Sequence, residues 1–209
     1  MTNTPLKLHS FPLSGNSHRT ELFLSLLNIE AEIVNVDLPN GEHKGDAFLK
    51  LNPLGQVPVL QDEALVIADS NAILVYLAEK YDTEGQWYPR DAAVRADIQR
   101  FLSIVQNQVA NGPAAARLVT VFGYELDHEQ TIARAHAILQ TLDAHLDGKR
   151  FAVANQPTLA DVALYTYIAH APEGNVSLEP YPYVRAWLNN VEALPGFIPM
   201  LATKAGLAA

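Results

Sequence analysis

The chain has 209 residues, 49% of them hydrophobic and 18% charged, which suffices for one large core or two ordinary ones and is too apolar for disorder. Its net charge of −9 argues against a general affinity for nucleic acid or anionic membranes. No run approaches the roughly 18 uninterrupted apolar residues of a membrane span, and the lack of cysteine excludes disulfides, thiolate metal sites and a cysteine nucleophile.

Residues 1–7 carry no basic stretch followed by an apolar one, so no secretory leader is expected and a cytoplasmic location fits. Leu6–Phe11 alternates and predicts a first strand. A turn follows over Pro12–Ser17. Ser17 is then expected to cap a helix over Arg19–Ile29. Ala31–Leu38, with Ile33, Val34 and Val36, predicts a second strand, and a polar loop leads to a short helical turn over Ala47–Leu51. Val57–Gln61 and Leu65–Ala68 predict a hairpin, closed by a helix over Asp69–Tyr81. The order is β-α-β and then β-β-α. A helical crossover makes the first two strands a right-handed parallel pair, and the hairpin adds an antiparallel one. That is a thioredoxin-like arrangement.

After a Gly/Pro-containing connector near residue 85 the strand signals stop. Val94, Ile98, Phe101, Val105 and Val109 recur at helical spacing, as do Ile132, Ala135, Leu139, Leu142 and Leu146. Thr158-Leu159-Ala160-Asp161 has the form of a capping box opening a helix to about His170, and Pro182–Leu194 predicts a last one. Two domains are expected, α/β over residues 1–83 and all-α over residues 88–209. No metal-ligand spacing and no Gly-rich phosphate loop is present.

One stretch organises the rest: Asn52-Pro53-Leu54-Gly55-Gln56-Val57-Pro58-Val59-Leu60, followed by Asp69-Ser70. Pro58 cannot donate to a sheet ladder, so the strand must begin or bend there, and the proline pushes Val57 toward an extended conformation. Extended backbone of that kind pairs with an extended peptide ligand. Asp69-Ser70 opens a helix with two polar side chains and free N–H groups, suited to a carboxylate. Together these residues resemble half of a small-peptide site.

With Ser14-Gly15-Asn16-Ser17-His18-Arg19, Asn52–Leu60, Asp69-Ser70 and the Thr158–Asp161 box, the whole chain resembles a cytosolic glutathione S-transferase. The resemblance implies a serine-using, bacterial-type class with glutathione as cosubstrate and a small hydrophobic electrophile as second substrate. In serine-using classes the catalytic serine lies three residues before the position of Ser17, which points to Ser14, with Ser17 as runner-up; otherwise Ser14 only shapes the turn. The chemistry needs a thiolate, and lowering a thiol's pKa from about 8.5 by about 2 requires about 2.7 kcal/mol. A hydroxyl donating to an anion supplies about 1.5–3 kcal/mol, and a helix N-terminus adds a fraction more.

The resemblance further implies that Asp69 and Ser70 hold the γ-glutamyl end, that Val57 pairs with the cysteinyl segment beside a cis Pro58, and that His43, Lys44 and Gln56 meet the glycine carboxylate. Gln106, Asn107, Ala110, Asn111, Arg117 and Phe122 are candidates for the second-substrate region. A homodimer is expected from the family alone. The rivals are a glutathione-dependent isomerase or peroxidase, a dehalogenase, and a non-catalytic module used for protein contacts. Missing cysteine argues against the cysteine-based thiol-transferase classes, and the loop departs from the Ser-Ser-Cys signature of the maleylacetoacetate isomerase class.

Overall fold

The structure is a computed structural model that describes residues 6–209; most of the stretch scanned for a leader, Met1–Pro5, lies outside the described residues. The chain divides into two compact units, one running to Glu84 and joined by Pro195–Leu201, the other comprising Gly85–Leu194 and Ala202–Ala209.

The first unit contains β1 (Leu6–Ser10), α1 (Gly15–Leu26), β2 (Ala31–Asn35), α2 (Asp46–Leu49), β3 (Val59–Asp62), β4 (Leu65–Ala68) and α3 (Ser70–Tyr81). The sheet order is β2-β1-β3-β4. β1 runs parallel to β2 with Leu8 opposite Ile33, and antiparallel to β3 with Leu8 opposite Leu60. β3 and β4 form the hairpin, with Leu60 opposite Ile67. Leu8 and Leu60 from the sheet, Leu22 and Phe23 from α1, and Ile73, Leu74 and Leu77 from α3 are wholly buried. A smaller cluster gathers Val36, Phe48 and Val59, with Leu38, Leu51 and Val57 packed against it. Burial of this kind stabilises by roughly 25 cal/mol per Å² of apolar surface removed from water.

Several boundaries differ from the sequence reading, α1 also ending at Leu26 rather than Ile29. α1 begins at Gly15 and its cap is Ser14, whose Oγ accepts the Ser17 N–H, so Ser17 is not the cap. Gly15 and Asn16 look like turn residues in sequence, yet the first helical turn tolerates them once the cap is in place. β2 ends at Asn35 rather than Leu38. β3 starts at Val59 because the residue before it, Pro58, has no N–H for the ladder.

Asp62 fastens β3 to α3. Its Oδ2 accepts from Lys80 Nζ (2.6 Å), Tyr76 Oη (2.7 Å) and Tyr81 Oη (2.8 Å). Burial pushes this carboxyl up, but the bonds from Lys80, Tyr76 and Tyr81 outweigh it and leave Asp62 below its ordinary value.

The second unit is helical: α4 (Ala92–Ile104), a π-helical stretch (Val105–Ala114), α5 (Ala115–Phe122), α6 (His128–Leu146), α7 (Leu159–Ala169) and α8 (Pro182–Glu192). The apolar residues of α7 go all the way round, and nine of its eleven positions are buried, which makes it the central helix. Its predicted capping box is present: Asp161 Oδ2 accepts the Thr158 N–H at 2.9 Å, while Oδ1 takes the Ala152 N–H and Trp187 Nε1, each at 2.8 Å. The π-helical stretch interrupts what the periodicity predicts as plain α-helix. Pro113 lies inside it and lacks the N–H that an α-helix would use, and a widened turn accommodates the ring. Gly112 lies where α6 passes closest, since a Cβ there would sit 3.0 Å from Ala135 Cα.

Candidate functional site

The residues singled out in the first half of the chain gather around the N-termini of α1 and α3 and the turn before β3. Ser14 is half-buried at the cap of α1, with extended φ/ψ of −86° and 115°. Its N–H donates to Phe11 C=O and its C=O accepts the His18 N–H, both at 2.9 Å. Its Oγ accepts the Ser17 N–H at 3.3 Å. Accepting at a cap does not use the hydroxyl proton, so Ser14 keeps a donor for a ligand at a helix end already biased toward negative charge. Ser17 differs. It is wholly buried and its Oγ accepts the Phe11 N–H at 3.2 Å, so it holds the turn from inside and the runner-up role does not suit it.

The turn Asn52–Val57 is braced on both sides. Asn52 is buried; its Nδ2 donates to Gln56 C=O at 2.8 Å and its Oδ1 accepts the Leu54 N–H at 3.0 Å. Lys44 Nζ donates to Gly55 C=O at 3.1 Å and reaches Leu54 C=O at 3.4 Å. An ammonium has three donors, so Lys44 stiffens the turn and retains capacity for an anion. Gly55 has φ +59°, and a Cβ there would meet His43 C=O at 2.7 Å and Lys44 Nζ at 2.9 Å, so a side chain is excluded on two counts. His43 is half-buried with Nδ1 enclosed and unpartnered among the described residues. Gln56 is exposed. The Val57–Pro58 peptide is cis, and Val57 lies outside the sheet ladder, which starts at Val59.

Asp69 caps α3, its Oδ1 accepting the Ala72 N–H at 2.9 Å. Its φ of +153° with ψ 129° is a conformation that non-glycine residues seldom adopt, at roughly 1–3 kcal/mol, and such positions cluster at ligand sites. Ser70 is 3% exposed. Its Oγ receives Arg19 Nη1 at 3.1 Å and faces Asn16 Oδ1 at 3.4 Å; Arg19 Nη1 also donates to Asn71 Oδ1 at 3.1 Å. Arg19 is wholly buried. It therefore ties α1 to α3 and places a positive charge behind the hydroxyl that opens α3. Sequence reading used Arg19 and Asn16 only as letters of a motif and assigned no part to Asn52 or Asn71. An arginine three residues before the apolar run Leu22–Leu24, inside a helix with a buried face, was the signal available for Arg19.

In the second unit, Gln106, Asn107 and Asn111 are exposed and Ala110 half-buried along the π-helical stretch, and Phe122 is exposed at the end of α5. Asn111 Nδ2 donates to Asn107 C=O at 2.9 Å. Arg117 differs from them in burial, although its Cζ lies 5.6 Å from the centroid of the Phe122 ring. It is 2% exposed, and its Nε meets Glu173 Oε2 at 2.5 Å. Glu173 Oε1 also takes His170 Nδ1 and the Thr203 N–H, both at 2.9 Å. Arg117 is thus engaged in a buried ion pair, which suits a structural role better than contact with a second substrate. Among the described residues no helix is long and apolar enough to cross a membrane.

Two family models match the chain: the glutathione S-transferase N-terminal domain over residues 4–79 and the glutathione S-transferase C-terminal domain over residues 124–195. The theta-1 glutathione S-transferase of Mus musculus is 32% identical over 201 residues, covering 91% of this chain and 84% of its own. The crystal structure of a possible glutathione S-transferase from Rhodopseudomonas palustris superposes with a TM-score of 0.87 at 34% identity, covering 96% of this chain and all of the other. A glutathione transferase homologue from Drosophila mojavensis, solved with bound glutathione, gives a TM-score of 0.84 at 28% identity over 91% of this chain and 89% of its own.

Proposed function

The chain belongs to the glutathione S-transferase family, and from that premise we propose that it conjugates the thiolate of glutathione to a small hydrophobic electrophile, with Ser14 as the residue that holds the thiolate. The observation that carries this reading is Ser14 Oγ: among the described hydrogen bonds it only accepts, at the N-terminus of a helix whose first turn has no acidic residue. Its O–H is left to donate to sulfur.

Glutathione lies extended across the first unit. Its γ-glutamyl carboxylate meets the N-terminus of α3 and Ser70, where Arg19 stands behind, and its ammonium meets Asp69. Val57, free of the ladder, pairs its N–H and C=O with the cysteinyl segment. Lys44, Gln56 and His43 receive the glycine carboxylate. On binding, the thiol gives its proton to solvent, and the O–H of Ser14 with the α1 N-terminus favours the anion that remains. Sulfur then forms a bond to the electrophilic carbon, and the displaced group leaves with its electron pair or, in an addition, the carbon's π electrons move to its neighbour. Gln106, Asn107, Ala110, Asn111 and Phe122 contribute to second-substrate recognition. The protein acts in the cytoplasm as a homodimer, the latter measurable by light scattering.

Calorimetry with glutathione, combined with a thiolate absorbance titration of the wild type and Ser14→Ala, tests the reading. Wild type should bind glutathione with a thiol pKa well below about 8.5. Ser14→Ala should bind it comparably but return the thiol toward that value, with kcat at neutral pH down ten- to a hundredfold. A wild type that binds no glutathione overturns the function; unchanged ionisation in Ser14→Ala overturns only the role of Ser14.

A further inference from the structure

We propose that His18 is a positioning residue for Ser14, acting by anchoring the segment Pro195–Leu201 to the first turn of α1. This rests on the reading of Ser14 given above and adds to it a residue and a stretch of chain that otherwise have no part in the chemistry.

His18 is 4% exposed, although histidine is ordinarily only partly buried. Its Nε2 lies 2.9 Å from Ile198 C=O. A carbonyl only accepts, so Nε2 carries the hydrogen. The same residue's N–H closes the first helical hydrogen bond onto Ser14 C=O at 2.9 Å. One side chain thus joins the incoming segment to the backbone turn that ends in Ser14.

The segment is held at a second point further along α1. Ser25 Oγ donates to Gly196 C=O at 2.6 Å. Gly196 has φ +85°, and a Cβ there would meet Ser25 C=O at 2.8 Å, so the segment lies against the helix with no room for a side chain. His18 and Ser25 are separated by roughly 10 Å of helix rise, so both halves of α1 are gripped from this side. Arg19, the next residue, grips α3 through Ser70 and Asn71. Consecutive residues on a helix point about 100° apart. The start of α1 is therefore clamped to α3 on one flank and to Pro195–Leu201 on another, by two buried polar side chains at the fourth and fifth positions after the cap.

A hydrogen bond to sulfur weakens steeply when its donor moves by a few tenths of an ångström, and a donor set on a clamped turn is preorganised in the sense that catalysis rewards. Loosening the segment's flank should reduce the thiolate preference more than it reduces glutathione binding, because the segment's described side-chain hydrogen bonds go to His18 and Ser25 on α1.

The experiment uses the full chain and three variants. His18→Leu removes the bond, His18→Gln offers an amide N–H in its place, and Ser25→Ala releases the far end of the segment. Bound glutathione is titrated by thiolate absorbance and its affinity measured by calorimetry. For His18→Leu the thiolate fraction at neutral pH should fall about three- to tenfold with the dissociation constant changed less than twofold; His18→Gln should recover most of it, and Ser25→Ala should lie between. A wild-type thiol pKa in His18→Leu, or equal loss in His18→Gln and His18→Leu, overturns the proposal. Should His18→Leu not fold, Ser25→Ala alone decides, and an unchanged thiolate fraction there overturns it. A wild type with no glutathione binding defeats the underlying function instead, which keeps the two failures distinguishable.

Discussion

Arg19 Nη1 stands 3.1 Å from Ser70 Oγ, a bond made away from solvent, since Arg19 is wholly buried and Ser70 is 3% exposed. A guanidinium donates only, so Ser70 must use its oxygen to accept there, and its own proton is free to turn toward Asn16 or a ligand carboxylate. The pair sets both the orientation of Ser70 and the sign of the potential at the start of α3.

Arg19→Met keeps the length of the side chain and removes both effects. Hydrogen bonds from charged donors contribute about 1.5–3 kcal/mol, so the glutathione dissociation constant should rise about ten- to a hundredfold by calorimetry on the folded protein. Because the same bonds hold the α3 flank of the α1 turn that carries Ser14, the thiolate fraction of bound glutathione should fall as well. A variant binding glutathione as tightly as wild type would show that Ser70 needs no support from behind.

The turn before Val57 offers a test in which one glycine controls for another. Gly55 and Gly85 both have positive φ, +59° and +69°, but a Cβ at Gly55 meets His43 C=O at 2.7 Å whereas one at Gly85 meets nothing within 4 Å. Gly85→Ala should therefore lose only the conformational cost, about 1 kcal/mol. Gly55→Ala should lose about 2–4 kcal/mol by denaturant titration, and it alone should weaken glutathione binding, because Gln56 and Val57 follow directly. Equal losses would mean that Lys44 and His43 simply move aside.

Asp62 predicts a pH dependence. Burial raises its pKa, the bonds from Lys80, Tyr76 and Tyr81 outweigh that and lower it, and the net position is below the ordinary value of 3.8. A carboxylate depressed in the folded state contributes stability that is present above its unfolded pKa and is lost as pH falls through the folded one. The stability difference between wild type and Asp62→Asn should then be largest at neutral pH, about 1–3 kcal/mol, and shrink below about pH 4. Urea titrations at neutral and acid pH measure it; a difference independent of pH would show that the three donors hold a neutral group equally well.

What sequence reading recovered was whatever depends on neighbours along the chain: the β-α-β and β-β-α order, the capping box at Thr158–Asp161, the special backbone at Val57–Pro58 and the helix start at Asp69-Ser70. What it missed depends on distant partners. Ser14 and Ser17 are alike as letters, and only the fold shows that one caps α1 half-exposed while the other is sealed against the Phe11 N–H. Lys44 is expected at the glycine carboxylate of glutathione, but its bonds to the carbonyls of Leu54 and Gly55 depend on a turn ten residues away. The π-helical stretch could not be read because Val105 and Val109 keep α-helical spacing through it, and its cause, Pro113, lies near its far end. The burial of Arg117 could not be read either, since its partner Glu173 is 56 residues away.

That ion pair yields the last prediction, which separates a structural arginine from a substrate-contacting one. Arg117 and Glu173 are both nearly inaccessible to solvent, and Glu173 also binds His170 and the Thr203 N–H. Burial pushes the Glu173 carboxyl up, but the Thr203 N–H, His170 and Arg117 outweigh it and hold the group below its ordinary value. Removing one partner of such a pair leaves the other charge buried, which costs about 3–5 kcal/mol. Arg117→Leu should therefore unfold at markedly lower denaturant concentration, while KM for any electrophile the enzyme accepts, measured on the folded fraction, stays within twofold of wild type. Protonating Glu173 removes the stranded charge, so the loss in Arg117→Leu should be smaller near pH 4 than at pH 7. Wild-type stability with an altered electrophile KM would assign Arg117 to the second-substrate region.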